Sequence, residues 1–175
     1  GSSYYTASGW PTSLSTLAAS GSGYFTPLGN VNAGNTQFQM FGVGSNNTLY
    51  SYDLLMANGT DASQAVADGV SEMHALYGLD TNADGVLDTW VDPGATGYDI
   101  ATMMTTPATA RQVVAIRVAL VLRSANPERA NDNGELPSPA SLTLFSDLAT
   151  SLQQTISFST SEQHFRHRVV ESTIP

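Results

Sequence analysis

The side chains best suited to do chemistry lie close together in residues 80–92. Oxygen-bearing residues occupy the first, third, fifth and ninth positions of a D-x-N-x-D-G loop, namely Asp80, Asn82, Asp84 and Asp88. Gly85 supplies the sharp turn, and the backbone carbonyl of Val86 adds a further oxygen. Alternate side chains on a tight loop deliver the oxygen ligands that Ca2+ prefers. The spacing therefore predicts a Ca2+ site made by these residues.

The match to a calcium loop is incomplete, and a second interpretation stays open. Val91 stands at the twelfth position, where a bidentate Glu is expected, and Asp92 follows one residue later. The dipeptide Asp84-Gly85 between two apolar stretches is also a β-hairpin signal, because both central residues of a type I′ turn need φ > 0. A metal-free hairpin turn is the alternative, and the two interpretations are compatible because a metal can bind within a hairpin loop.

No other group of residues has the pattern of an active site. The three histidines are His74, His164 and His167, and the last two flank Arg166 in a tail typical of a solvated strand. The sequence contains no G-x-S-x-G elbow, no H-E-x-x-H pair and no nucleotide-binding glycine motif. Glu72 and His74 share a strand face and are expected to form an ordinary polar pair. We therefore expect no enzymatic activity.

Arginines on two of the expected strands allow two explanations. Arg117, Arg166 and Arg168 could each bind the carboxylate of a partner protein. Arginines on strands more often pair with acidic residues of the same chain, and here 15 acidic residues accompany 6 basic ones.

Composition limits the classes of protein that fit. The 175 residues are expected to form one domain over 1–175, with 41% hydrophobic but only 12% charged residues. The formal net charge of −9 argues against a nucleic-acid partner, which would require clustered basic residues. The chain has no cysteine, so disulfides and thiolate metal sites are excluded. No apolar run approaches the length of a membrane helix.

Hydrophobic periodicity predicts a mainly antiparallel β domain with one or two short helices. Strands are predicted at residues 37–41, 48–56, 70–79, 86–91, 111–123 and 163–174. Residues 61–77 also carry apolar side chains at helical spacing, so periodicity alone leaves helix and strand open there. Residues 124–139 are predicted to be a polar, mobile loop by composition.

Two details of this prediction concern packing. Five β-branched residues favour a strand at residues 111–123, with its fully buried face formed by alternate apolar residues: Val114, Ile116, Val118, Leu120 and Leu122. Residues 141–152 place Leu142, Phe145, Leu148 and Leu152 at helical spacing. Ser138 would cap that helix, with Pro139 in its first turn.

Several phrases of the sequence resemble one family, in the same order along the chain. They are residues 49–52 (LYSY), 70–80 (VSEMHALYGLD), 88–91 (DTWV), 115–124 (AIRVALVLRS) and 166–175 (RHRVVESTIP). Together they are similar to PilW-type minor pilins, which are assembly proteins of type IV pili related to the J-type minor pseudopilins of type II secretion. The resemblance covers residues 48–175 and favours a strand at residues 70–79.

The resemblance implies a bacterial protein with a short leader, an N-terminal hydrophobic helix and a β-rich head. We expect this chain to be the distal soluble part of such a protein in a Gram-negative bacterium. It would be located at the inner membrane, in the periplasm and in the pilus. Its partners would be other minor pilins and the major pilin, and the membrane would be reached only through the N-terminal helix. No functional residue of the family is carried over, because those residues lie largely in that helix.

A Ca2+-stabilised extracellular binding or adhesion module is the alternative function. The low charge and the abundance of Asn, Ser and Thr suit this class equally well. The two functions share the expected β fold and differ in the kind of partner.

Overall fold

The computed structural model describes residues 38–54 and 63–175, and residues 39–175 group into one compact unit. In the described residues the chain is mainly β, with three antiparallel sheets and two short α-helices. The predicted fold class is therefore confirmed. The prediction of one domain over residues 1–175 extends beyond the described residues and stays a prediction.

The first sheet contains three strands in the order β1-β2-β3. They are β1 (Gln39–Val43), β2 (Thr48–Asp53) and β3 (Ser63–Asp68). The strand predicted at 37–41 is therefore displaced by two residues, and the one predicted at 48–56 ends earlier within the described residues. The helical interpretation of residues 63–77 is wrong, because β3 pairs with β2 along its length.

The second sheet is the largest and has the strand order β5-β4-β6-β9. Its strands are β4 (Val70–Leu79), β5 (Thr89–Val91), β6 (Val113–Arg123) and β9 (His167–Ile174). The predictions at 70–79 and 111–123 are confirmed, the strand predicted at 86–91 covers only β5, and the tail strand begins at His167. All pairs are antiparallel, so β4 and β5 form a hairpin closed by residues 80–88.

Two helices link β5 to β6. They are α1 (Ile100–Thr105) and α2 (Pro107–Ala110). Asp99 caps α1, because its side chain accepts a hydrogen bond from the backbone N–H of Thr102 at 3.1 Å. Neither helix, nor any other in the described residues, is long and apolar enough to cross a membrane.

The third sheet is a hairpin of β7 (Ser141–Leu144) and β8 (Gln154–Ser157), so the helix predicted at residues 141–152 is wrong. Adjacent Leu144 and Phe145 are both fully buried, which a one-sided surface helix does not provide. The chain turns at Phe145, and only residues Thr150–Leu152 form a short 3-10 turn.

The hydrophobic core lies between one face of the second sheet and the β7–β8 hairpin. Its fully enclosed members are Leu76, Ala119, Val121, Leu144, Phe145 and Ile156. Trp90, Leu148, Leu152, Phe158 and Val169 pack against them. The hairpin therefore covers the sheet on the side that carries Ala119 and Val121.

The prediction for the buried face of β6 is consequently wrong. Ala115, Ala119 and Val121 are buried, whereas the predicted face is only partly covered and Ile116 is 38% exposed. The buried face also carries Arg117 and Arg123. The hydrophobic alternation along β6 therefore predicted burial of the opposite face, which has no charged residue. Both guanidinium groups find acidic partners and lie over aromatic rings, so they are accommodated at the edge of the core.

The opposite face of the second sheet is apolar and only partly covered by the described residues. Val118, Leu120 and Leu122 of β6 are only partly buried on it. On the edge strand β9, Val170 is 42% and Ile174 is 56% exposed. We call this surface the open face.

Candidate functional site

The loop of residues 80–88 is built around one buried carboxylate. Asp80 is 7% exposed and directly follows β4. Its Oδ1 accepts hydrogen bonds from the backbone N–H of Ala83 at 2.7 Å and of Asp84 at 3.2 Å, and its Oδ2 accepts one from Gly85 at 2.7 Å. Asp80 therefore holds the turn from inside.

The other predicted ligands bond to the loop backbone in the same way. Asn82 Oδ1 accepts from the N–H of Asp84 at 2.9 Å, and Asp84 Oδ1 accepts from Val86 at 2.8 Å. Asp88 Oδ2 accepts from the N–H and the hydroxyl of Thr81, at 2.8 and 2.7 Å. The hydroxyl of Thr81 contributes most to holding the pKa of Asp88 below its ordinary value.

The turn itself differs from the hairpin alternative. Ala83 and Gly85 have positive φ values of 63° and 85°, whereas Asp84 is not among the non-glycine residues with positive φ. A type I′ turn centred on Asp84-Gly85 is therefore wrong, because that turn needs both residues in the left-handed region. The strands do form a hairpin, but the whole loop of residues 80–88 closes it, with the Asp88 N–H donating to the Leu79 carbonyl at 2.8 Å.

The structure places Asp80, Asn82, Asp84, Val86 and Asp88 on one loop, as the sequence predicted. Within the described part of the chain, no three acidic or histidine side chains converge as a metal-ligating group. Asp92 points elsewhere, since its carboxylate contacts the N–H of Gly94 at 2.6 Å and the side chain of Gln154 at 3.4 Å. The Ca2+ site stays a prediction.

A second polar cluster lies at the margin of the core around Arg117. Its guanidinium donates to both carboxylate oxygens of Asp147, at 2.9 and 2.7 Å, and to Glu171 at 2.6 Å. It also lies 5.6 Å from the ring centre of Phe145. The hydrogen bond from Arg117 lowers the pKa of Asp147. The expectation that Arg117 pairs within the chain is confirmed, and so is that for Arg166, which binds Glu128 at 2.7 Å.

Histidine environments differ from the solvated strand that the sequence indicated. His74 does pair with Glu72, at 2.8 Å. The ring of His164 lies 2.8 Å from the carbonyl of Glu128, and the ring of His167 is fully buried. The prediction of a solvated position is therefore wrong for His167, because a loop and a short helix cover the start of β9.

Sequence reasoning missed the cluster that surrounds His167. Its Nδ1 lies 3.2 Å from the hydroxyl of Ser138, and its Nε2 lies 3.7 Å from a carboxylate oxygen of Glu162. Ser138 is therefore no helix cap, and its hydroxyl accepts the backbone N–H of His167 at 2.9 Å. The residue types are those of a hydrolase triad, but Ser138 is 4% exposed and its hydroxyl is engaged. No local signal reveals this cluster, because its members lie up to 29 residues apart.

The outer edge of β9 is free for pairing. The Arg166 carbonyl accepts the Ser124 N–H toward β6, whereas the next N–H, that of His167, points the other way to Ser138. Because alternate residues of an antiparallel strand face the same neighbour, the amides of Val169, Glu171 and Thr173 point outward. In the described residues these three amides donate to no other group.

The comparisons with known proteins place these features in a class. A family model of proteins that assemble type IV pili matches residues 33–175. That family is described as Type IV Pilus-assembly protein W (PilW), and the chain belongs to it. Its role therefore lies in type IV pilus assembly, and it is associated with the pilus or the cell envelope. No curated protein and no solved structure matched the chain.

Proposed function

We propose that the chain is the head of a minor pilin that helps to initiate type IV pilus assembly. It acts by binding other minor pilins and the major pilin, and it has no catalytic activity. Membership of the PilW family supports the assembly role. The head would be held at the inner membrane of a Gram-negative bacterium and face the periplasm.

The observation that carries the binding role is the free edge of β9. An exposed strand edge offers a row of N–H and C=O groups, to which a strand of another protein can add. The outward amides of Val169, Glu171 and Thr173 make no hydrogen bond to the described residues, so they remain available to a partner strand. The open face includes exposed apolar residues of β9, and it would enlarge the contact with a partner strand that pairs with this edge.

Thr173→Pro tests this binding mode. Proline removes the outward N–H and places its ring where a partner strand would approach, while the hydrogen bonds toward β6 remain. We expect Thr173→Pro to fold like the wild type but to lose most binding to other pilins and most surface pili. Site-specific cross-linking in cells from position 170, which is exposed on the same strand, together with counts of pili, measures both effects.

Thr173→Ala is the matched control, because it removes the same side chain and keeps the amide. It should bind and assemble like the wild type. If Thr173→Pro assembled pili normally and cross-linked normally, the β9 edge would not be the contact. Defects of equal size in both variants would assign the contact to the side chain of Thr173 instead.

A Ca2+-stabilised binding or adhesion module is the second candidate. The observation that favours it is the loop of residues 80–88, where Asp80 already fixes the backbone and oxygens of Asn82, Asp84 and Asp88 line the same turn. A preorganised loop of this kind lowers the cost of binding a cation. The full-length gene separates the two candidates. A prepilin leader followed by about twenty apolar residues supports the pilin, and a secretory signal with repeated modules supports the adhesin.

A further inference from the structure

The ring of His167 is the most unusual buried group in the described residues. Its side chain is 0% exposed, and Nε2 is the one buried side-chain polar atom there without a hydrogen-bond partner. Buried polar atoms in native proteins nearly always have partners, so each exception calls for an explanation.

Residues from three structural elements meet at this ring. Ser138, at the end of the loop of residues 124–139, contacts both the backbone N–H and Nδ1 of His167. Phe158, which follows β8, stacks on the ring with centres 4.0 Å apart and planes at 18°. Glu162 approaches from the short 3-10 turn Glu162–His164. The ring therefore joins a loop, the end of a hairpin and the edge strand β9.

Two charged groups face the ring. A carboxylate oxygen of Glu162 lies 3.7 Å from Nε2, too far for a hydrogen bond. The guanidinium of Arg123 contacts the same carboxylate at 3.4 Å and lies 4.1 Å from the ring centre of Phe165. Burial lowers the pKa of His167 and Arg123 adds to that effect, whereas Glu162 and the backbone of Phe165 oppose it.

We propose that His167 is an acid-sensitive lock. The neutral ring holds the loop of residues 124–139 and the segment of residues 158–165 against β9, and protonation of the ring releases them. A charged ring needs a hydrogen-bond acceptor at Nε2, and the closed structure places none within bonding distance. Release would widen the groove beside His167, which has a volume of about 310 Å³ in the closed structure and is lined by Glu128, Arg129, Leu136, Pro137 and Arg166.

The sign of the effect follows from proton linkage. The folded pKa is lowered from the ordinary value of 6.5, so the open form binds the proton more tightly than the closed form. The closed form has its full stability above about pH 6.5, and it loses stability as the pH falls toward the pKa of His167 in the folded protein. One linked proton raises the opening constant by up to about tenfold per pH unit in that window.

Amide hydrogen exchange, corrected for intrinsic rates, measures this opening in residues 124–140 and 158–166. In the wild type, we expect the exchange-derived opening constant to rise by up to about fivefold between about pH 6.5 and 5.5. His167→Gln keeps a neutral polar side chain and should abolish the pH dependence. His74→Gln, which removes a partly buried histidine elsewhere on the sheet, should keep the wild-type profile.

Glu162→Gln distinguishes a pH-dependent contact at His167 from a purely structural one. It also tests the proposal if His167→Gln fails to fold. Loss of this carboxylate should extend the acid opening to lower pH, because Glu162 favours the charged ring. A structural contact alone would change opening equally at every pH. Unchanged pH dependence in His167→Gln, or equal opening of the wild type at pH 7.5 and 5.5, would overturn the proposal.

Discussion

At the scale of single residues, one carboxylate organises the most polar loop of the chain. Asp80 accepts three backbone N–H groups through two oxygens, and it is buried while the rest of the loop is exposed. Hydrogen bonds to a charged acceptor are stronger than neutral ones. The loop therefore depends on Asp80 for its shape, whether or not it binds a cation.

We expect Asp80→Ala to lower the free energy of unfolding by about 2–3 kcal/mol, because three amides lose their acceptor but can be rehydrated. Asp84→Ala is the matched control and removes a single exposed acceptor, so its cost should stay below about 1 kcal/mol. Urea denaturation monitored by tryptophan fluorescence measures both. Equal costs for the two variants would contradict the central role of Asp80.

At the scale of elements, the β7–β8 hairpin is held on the sheet by a partly buried ionic contact. Phe145, directly after β7, is fully buried with φ 56°, a left-handed conformation that is strained for a bulky residue. Glu171 of β9 accepts the Phe145 N–H at 2.7 Å through one oxygen and binds Arg117 through the other. The contacts from β6 and β9 compensate for the strain at the turn.

Glu171→Gln should therefore destabilise the protein by about 1–3 kcal/mol, because it weakens two hydrogen bonds at the margin of the core. Glu128→Gln provides the same chemical change in the pair with Arg166, whose side chain is 72% exposed, and should cost less than about 1 kcal/mol. Chemical denaturation of both variants at neutral pH gives the comparison. A larger loss in Glu128→Gln would show that the hairpin does not depend on Glu171.

At the scale of the whole molecule, negative charge is concentrated in residues 80–99. Asp80, Asp84, Asp88, Asp92 and Asp99 follow one another without an intervening Lys or Arg, and the formal net charge is −9. A cation bound only by the folded state would offset part of this repulsion and raise global stability. The predicted Ca2+ site can therefore be tested on the whole molecule.

With about 10 mM Ca2+, a hundredfold excess over a Kd of about 10⁻⁴ M, the predicted stabilisation is about 2.7 kcal/mol. Thermal unfolding with Ca2+ should then occur about 5–10 °C above unfolding with chelator. Asp84→Ala should lose this difference, and Mg2+ at the same concentration should produce a smaller one. Identical melting curves under all conditions would leave the loop as a metal-free hairpin connection.

The sequence by itself determined the fold class, the strands β4 and β6, and the family. Alternating apolar residues and a high content of β-branched side chains act locally, so residues 111–123 carry their own strand signal. At residues 70–79 periodicity also allowed a helix, and the family resemblance favoured the strand. The D-x-N-x-D-G spacing is also local, and it correctly predicted that these side chains share one loop. Local signals were sufficient wherever the deciding interactions lie between neighbours in sequence.

Only the tertiary structure decided which face of β6 is buried, why residues 141–157 form a hairpin, and why His167 is enclosed. Arg117 is accommodated beside the core through partners 30 and 54 residues away, Asp147 and Glu171, so composition alone placed the core on the wrong face. Ser138 meets His167 across 29 residues. Charges and strained turns of this kind are stabilised by distant groups, and periodicity along the chain contains no information about such partners.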